Sequence, residues 1–162
     1  LVYSISCTTR SPREGETDGV DYYFITPEEF AKRQREGNFL EWAVVHGHYY
    51  GTPESEVIKN LQEGKDVILE IDVQGAINVK KAFPEAILIF ILPPSEEALK
   101  QRLVSRGTES EESLRIRLDN AAREMKLADI YDHAIINDDV ERAAEELVNI
   151  IMSYRKGEPG KI

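Results

Sequence analysis

Arg10 and Arg13 stand three residues apart in the run SCTTRSPR, directly after a β-favouring segment. Two planar guanidinium forks at that spacing can converge on one phosphate through paired hydrogen bonds. The alternative is a pair of solvated loop arginines. Glu41 sits inside an apolar strand pattern, Phe39-Leu40-Glu41-Trp42-Ala43. Facing inward, its carboxylate would need partners and could accept a fork of two adjacent N–H donors. Facing outward, it would be an ordinary solvated strand position. Tyr49-Tyr50-Gly51-Thr52-Pro53 offers a phenol that can donate to phosphate, a hydroxyl that can bond a base edge, and a glycine permitting close backbone approach. An aromatic strand closing on a turn would read the same way.

Two further groups carry charge. The run VILEIDVQG ends an apolar strand in Glu70 and Asp72, which are two apart and so project to one side. Acids at the carboxyl end of a parallel strand are how phosphoryl-transfer folds hold magnesium. A helix N-cap is the alternative role for Asp72. Two acids on one face at the end of a buried strand are costly without a cation or ligand, which favours a function. Arg102 and Arg106 lie four apart on one helix face, followed by Gly107-Thr108 and an acid-rich helix start bearing Arg115 and Arg117. A lid that swings arginines onto a transferring phosphoryl group has this form, as do two helices laced with surface charge.

The elements that must position these groups are legible in outline. A strand pattern opens the chain at residues 1–6, and residues 21–25 (DYYFI) read as another. Between them, residues 11–19 are turn formers and charges, an exposed and mobile loop. Thr26-Pro27-Glu28-Glu29 starts a helix that stops near Gly37. Residues 39–45 and 48–52 form a hairpin around His46-Gly47, and residues 54–62 form a helix closed by Gly64. Residues 66–71 and 86–92 are nearly continuous β-favouring runs, the pattern of strands buried on both faces. Helices over 74–82, 95–104 and 111–128, a strand over 133–136 and a helix over 140–154 complete an alternation that predicts a parallel sheet with right-handed crossovers. The hairpin-rich stretch 9–65 reads as an inserted lobe.

Composition narrows the function classes. The chain has 162 residues, one cysteine (Cys7) and a formal net charge of −10. An internal disulfide or cysteine-built metal site is excluded, and a reducing cytoplasm is the expected compartment. The acidic surface argues against nucleic acid as a partner. The longest apolar run, residues 86–94, is about half of what a membrane-spanning helix needs.

In order and spacing, the blocks SISCTTRSPREGETDGVDYYF, NFLEWAVVHGHYYGTP, VILEIDVQGA, ILPPSEEALKQRLVSRGTESEES and AIINDD resemble those of bacterial-type guanylate kinases over residues 1–154. The resemblance implies an α/β fold: a P-loop-type parallel sheet core flanked by helices (residues 1–8 and 66–162), an inserted mixed-β GMP-binding lobe (9–65) and a helical lid at about 103–118. It implies transfer of the γ-phosphoryl of ATP to GMP, giving ADP and GDP, with Mg2+. Ser6 and Thr52 match positions that contact guanine, and Glu41 matches the carboxylate that reads its N–H edge. Arg10, Arg13, Tyr22 and Tyr50 match groups that clamp the GMP phosphate. Glu70 and Asp72 match acids near magnesium and the GMP site, their division of roles left open. Arg102, Arg106 and Arg117 match lid and core arginines that neutralise phosphates during transfer, and Asn137 matches a position beside the adenine ring.

The family places a G-x-x-x-x-G-K-[ST] loop ahead of these blocks, and this chain holds none. A strand–loop–helix piece of roughly 30 to 40 residues is therefore expected to be missing, leaving a chain that binds GMP better than it turns over ATP. The missing loop also keeps a second class open, a guanylate-kinase-like module that binds phosphorylated peptides without catalysis. Retention of the lid arginines argues against it. A kinase of another nucleoside monophosphate is a third reading. A carboxylate fork would repel the acceptor edge of adenine, whereas IMP and dGMP are not separated from GMP by sequence. Oligomeric state is also left open.

Overall fold

A two-residue turn organises the first half of the chain. In the computed structural model, β4 (Phe39–Val45) and β5 (His48–Pro53) are joined by His46 and Gly47 at φ +50° and +82°. Paired left-handed residues give the mirror-image turn whose twist suits an antiparallel hairpin. The structure describes residues 1–105, 111–125 and 127–157, and the side chains of 111–114, 117, 122 and 128 lie outside that description. It divides into two compact units, Leu1–Ala86 and Ile87–Ile162.

In the first unit, β5 also pairs antiparallel with β2 (Cys7–Thr8), which pairs in parallel with β3 (Tyr23–Phe24). The result is a mixed sheet of order β3-β2-β5-β4. A register shift between Phe39 and Glu41 gives that sheet two chemically distinct faces. Residues two apart normally share a face. The irregularity instead sends Phe39 toward the aromatic side, where it stacks on Phe30 with ring centroids 4.5 Å apart. Phe30 belongs to α1 (Pro27–Arg35) and also meets Tyr49 at 5.1 Å. Glu41 and Ala43 are buried on the opposite side. Thr26 caps α1 by accepting from the Glu29 amide at 3.2 Å, with Pro27 at the first helical position, as the sequence predicts.

Gly51 lies under the aromatic stack because nothing larger fits. A Cβ there would sit 2.9 Å from Phe39 Cδ1 and 3.1 Å from Phe30 Cζ. Gly51→Ala is therefore expected to lower the free energy of urea unfolding by about 1–3 kcal/mol through overpacking. An unchanged midpoint would mean that the stack yields freely.

The same unit holds α2 (Glu54–Gln62) and a parallel pair, β1 (Val2–Tyr3) with β6 (Val67–Ile68). Both strands are shorter than their apolar runs. The run at 1–6 is divided between two sheets: Ser4 N still bonds Ile68 O at 3.0 Å, while Ser6 O accepts from Tyr23 N at 2.9 Å. Past Ile68 the backbone turns toward the N-cap of α3 (Val73–Ala82), with Asp72 accepting from the Gly75 amide at 2.8 Å. Residues 11–15 are exposed as expected, and Glu16 anchors the start of the loop through Arg10 and Arg13.

In the second unit, β7 (Ile89–Leu92) and β8 (His133–Ile136) form a parallel pair, connected through α4 (Glu96–Ser105), α5 (Glu111–Met125) and a 3-10 turn, Ala128–Ile130. The last helix, α6 (Val140–Arg155), buries its Ile150, as β8 buries Ile135, and Tyr154 Oη meets His133 Nε2 at 2.9 Å. Burial on both faces was expected for β7, yet Ile91 remains half exposed. Among the described residues this sheet has two strands, so its cover is thinner than that of a wide parallel sheet. Parallel pairing and strand–helix alternation place the chain in the expected α/β class. Residues 9–65, expected as an inserted lobe, fall within the first unit, which also holds 1–8 and 66–86. No helix among the described residues is long and apolar enough to cross a membrane.

Candidate active site

The face of the mixed sheet opposite the aromatic stack carries two polar clusters, joined by β5. Thr52 and Tyr50 are two apart on that strand and therefore share a face, separated by roughly 7 Å along the backbone. Thr52 lies opposite Glu41 on β4, and Tyr50 lies opposite Ala43.

At the Thr52 end, the hydroxyl donates to Glu41 Oε1 at 2.6 Å, and the two residues are 1% and 6% exposed. Sequence alternation left the direction of Glu41 open; the structure turns it inward. Burial pushes its carboxyl above the usual carboxylate range, the Thr52 hydrogen bond opposes that rise, and the nearby Asp72 charge adds to it. A buried carboxylate with one hydroxyl donor keeps accepting capacity for a ligand bearing N–H groups. Gly75, in the first turn of α3, makes this position possible. A Cβ on Gly75 would lie 2.6 Å from Glu41 Oε2 and 3.2 Å from Asp72 Oδ1. Asp72 caps α3, which is the structural role weighed for it, so its Oδ1 is engaged by Gly75 N.

At the Tyr50 end, Arg10 lies over the Tyr22 ring at 5.5 Å and beside Phe24 at 5.8 Å. Its Nε donates to Tyr50 Oη at 3.2 Å, its Nη1 to Ser11 O, and Nη1 and Nη2 to the Glu16 carboxylate at 2.9 and 2.8 Å. Tyr22 and Tyr50 meet edge to face at 5.9 Å. Burial raises the Tyr22 phenol above its usual range, with the Glu70 and Tyr50 charges adding to the shift and Arg10 opposing it. No hydrogen bond among the described residues holds the Arg13 guanidinium, while its backbone N–H donates to Glu16 Oε2 at 2.7 Å. Ser6 lies where the chain passes from β1 to β2, half-buried.

Glu70 follows β6, exposed between half-buried neighbours, and accepts from the Tyr3 hydroxyl at 2.7 Å. Burial, together with that bond and the Glu70 charge, pushes the Tyr3 phenol far above its usual range. Among the described residues no group of three or more His, Cys, Asp or Glu could hold a metal by itself. Mg2+ usually takes one or two carboxylates, keeping waters and phosphate oxygens as its other ligands. One oxygen each of Glu70 and Asp72, outside the Tyr3 bond and the cap, fits that modest requirement.

In the second unit, Arg102 Nη2 donates to the Asn137 carbonyl at 2.7 Å, and Asn137 Oδ1 is buried with no hydrogen-bond partner among the described residues. An orphaned buried acceptor is a place for a ligand's donor. Arg106 lies outside the described residues; Arg117 lies on α5, its side chain outside them.

The structure thus brings together Glu41, Thr52 and Asp72 at one end, and Arg10, Tyr22 and Tyr50 at the other. Sequence reasoning assigned no role to Glu16, Tyr3 or Gly75. A signal existed for Gly75, since glycine in the first turn of a helix is disfavoured unless something approaches closely. None existed for the Tyr3–Glu70 contact, which depends on the pairing of β1 with β6.

The mixed sheet, with an arginine–tyrosine cluster and a buried carboxylate–hydroxyl pair on one face, sits in a chain of the α/β class. The guanylate kinase family model matches residues 1–154. The guanylate kinase of Caldanaerobacter subterraneus subsp. tengcongensis is 54% identical over 155 residues, 96% of this chain and 75% of that protein. The guanylate kinase of Thermotoga maritima is 50% identical, with the same coverage of 96% and 75%. Among solved structures, a crystal structure of guanylate kinase from Anaplasma phagocytophilum matches with a TM-score of 0.81 at 36% identity, over 99% of this chain and 77% of that one. The chain belongs to the guanylate kinase family.

Proposed function

We infer that the chain is an ATP:GMP phosphotransferase, transferring the γ-phosphoryl of ATP to GMP to give ADP and GDP. The observation that carries this reading is the buried Glu41–Thr52 pair on the same strand face as the Tyr50–Arg10 cluster. A nucleoside monophosphate has the same two ends. The guanine N–H edge would meet Glu41, with Thr52 and Ser6 on its other polar atoms. The phosphate would meet Arg10, Arg13, Tyr22 and Tyr50. Membership of a kinase family supports the enzyme reading and lends none to the peptide-binding alternative.

Glu70 and Asp72 would hold Mg2+ through its water shell and the nucleotide phosphates. That ion, when bound, would neutralise charge on the transferring group. Arg102, Arg106 and Arg117 would neutralise the phosphates as the group passes, and Asn137 would lie beside the adenine ring. Positioning and charge neutralisation account for most of such a rate, so no strongly tuned base is required. Residues 9–65 would act as the GMP lobe, 1–8 and 66–162 as the core, and about 103–118 as the lid, in a cytoplasmic enzyme. With the family's G-x-x-x-x-G-K-[ST] loop supplied ahead of residue 1, incubation with ATP, GMP and Mg2+, resolved by ion-exchange chromatography, should give ADP and GDP in equal amounts, with AMP a poor acceptor; without that loop turnover should be weak. ADP appearing with free phosphate and no GDP would contradict the reading.

The elevated Glu41 carboxyl gives a second test. Its folded pKa lies above its unfolded one, so Glu41 costs the free protein stability as pH rises through that window and restores it as pH falls. Guanine N–H donors stabilise the ionised form, so a bound base should bring the pKa down. Carbon-13 NMR of the Glu41 carboxyl should show its midpoint fall when guanosine saturates the site. A midpoint indifferent to guanosine would remove Glu41 from base recognition.

A further inference from the structure

A carboxylate stands where an anionic phosphate is to bind, and the geometry explains what it does there. Glu16 is not a loose counter-ion. It takes two N–H groups of Arg10 at 2.9 and 2.8 Å and the Arg13 backbone N–H at 2.7 Å, while its own amide bonds Arg13 O at 3.1 Å. The last bond closes a tight turn through Gly15, whose φ of +87° favours glycine. The Arg10 and Glu16 side chains are 12% and 18% exposed, and the pairing holds Glu16 below the usual carboxylate range, so it is ionised at neutral pH.

The donors of Arg10 can be followed one by one. Of the five N–H groups of a guanidinium, Nε–H goes to Tyr50 Oη, the two on Nη1 go to Ser11 O and Glu16, and one on Nη2 goes to Glu16. Among the described residues one Nη2–H remains without an acceptor, and it lies on the same edge of the planar group as Nε–H. The acceptor role of Tyr50 Oη toward Arg10 leaves the phenol's own hydrogen free to donate. Glu16 therefore occupies the far end of the guanidinium and presents the Nε/Nη2 edge, with the Tyr50 hydroxyl beside it.

We propose that Glu16 is a positioning residue for the phosphoryl acceptor. By clamping Arg10 and the turn that carries Arg13, it aims one Arg10 N–H, the Tyr50 hydroxyl and the Arg13 guanidinium at a nucleoside monophosphate's phosphate. This rests on the GMP reading above and adds to it a residue that does not itself touch the ligand. The carboxylate also reduces the charge of the clamp, so its removal sets two effects against each other. Loss of alignment weakens phosphate binding, and loss of a repelling charge strengthens it. Alignment dominates here because Arg10 is held by charge-assisted hydrogen bonds in fixed geometry.

The test is calorimetric titration of the full chain, its Glu16→Gln, Arg10→Lys and combined variants, with GMP and with guanosine. Glu16→Gln should weaken GMP about tenfold and leave guanosine unchanged, because the base end lies on β4 and β5 and not in the turn. In the Arg10→Lys background, where no fork exists to align, the same change should cost less than about twofold. Glu16→Gln binding GMP as well as the parent, or more tightly, would overturn the proposal and make Glu16 an anion that the phosphate displaces. Equal losses for guanosine and GMP would overturn it too, by marking a general loss of structure. A parent chain that binds neither ligand would instead overturn the GMP reading on which the proposal stands.

Discussion

Glu41→Ala is expected to weaken GMP binding by roughly 100- to 1000-fold, about 3–4 kcal/mol, while leaving the chain folded. The size follows from the site's chemistry. A buried carboxylate accepting two N–H groups makes charge-assisted hydrogen bonds, each larger than a neutral one. Alanine leaves the guanine donors and the Thr52 hydroxyl without their acceptor in a nearly closed site. Folding should suffer less than binding. The parent's carboxylate is costly to bury in the free protein, and its removal offsets the orphaned hydroxyl. Glu41→Gln is expected to be nearly as damaging to GMP, because its amide turns N–H donors toward the N–H donors of the base. Isothermal calorimetry with a urea melt of each variant measures both quantities. A Glu41→Ala chain that keeps parental affinity would remove the carboxylate from recognition.

Gly75→Ala should separate stability from affinity. Alanine is the better helix former, by up to about 1 kcal/mol at an unstrained position. Here its methyl would lie 2.6 Å from Glu41 Oε2, 3.2 Å from Glu41 Cδ and 3.2 Å from Asp72 Oδ1. The side chain of Glu41 can move more easily than the backbone of α3, so the carboxylate is expected to swing out of register with Thr52. GMP affinity should fall roughly 10- to 100-fold, in keeping with loss of one or two charge-assisted hydrogen bonds. The unfolding midpoint should change far less than that loss implies. A variant with intact affinity would show that the contact is relieved elsewhere and that Glu41 is not held by α3.

Helix ends and tight turns are encoded locally, whereas strand direction and partner choice are not. The α1 start was legible because Thr26, Pro27, Glu28 and Glu29 each satisfy a rule about one helix end. The hairpin at His46-Gly47 was legible for the same reason. The direction of Glu41 was not, since alternation allows two phases and the register shift beside Phe39 decides between them. The run at 1–6 misled because β propensity says nothing about which sheet a strand joins, and Ser4 and Ser6 bond to different ones. Arg10 was found by its type and spacing, yet its pairing with Glu16 depends on a turn closed by Gly15. Arg102 was expected at phosphates and here bonds the Asn137 carbonyl, a contact 35 residues away in sequence. Long-range contacts of this kind leave no trace in a local pattern.

On the proposed function, one face of the mixed sheet reads a guanine base at Glu41 and Thr52 and its phosphate at Arg10 and Tyr50. The most direct measurement is a side-by-side calorimetric titration of the parent chain with GMP and AMP, which share the phosphate and sugar and differ in the base edge. GMP is expected to bind at least 100-fold more tightly than AMP, because adenine turns an acceptor toward the Glu41 carboxylate. Equal affinities, or a folded chain that ignores GMP, would contradict the account.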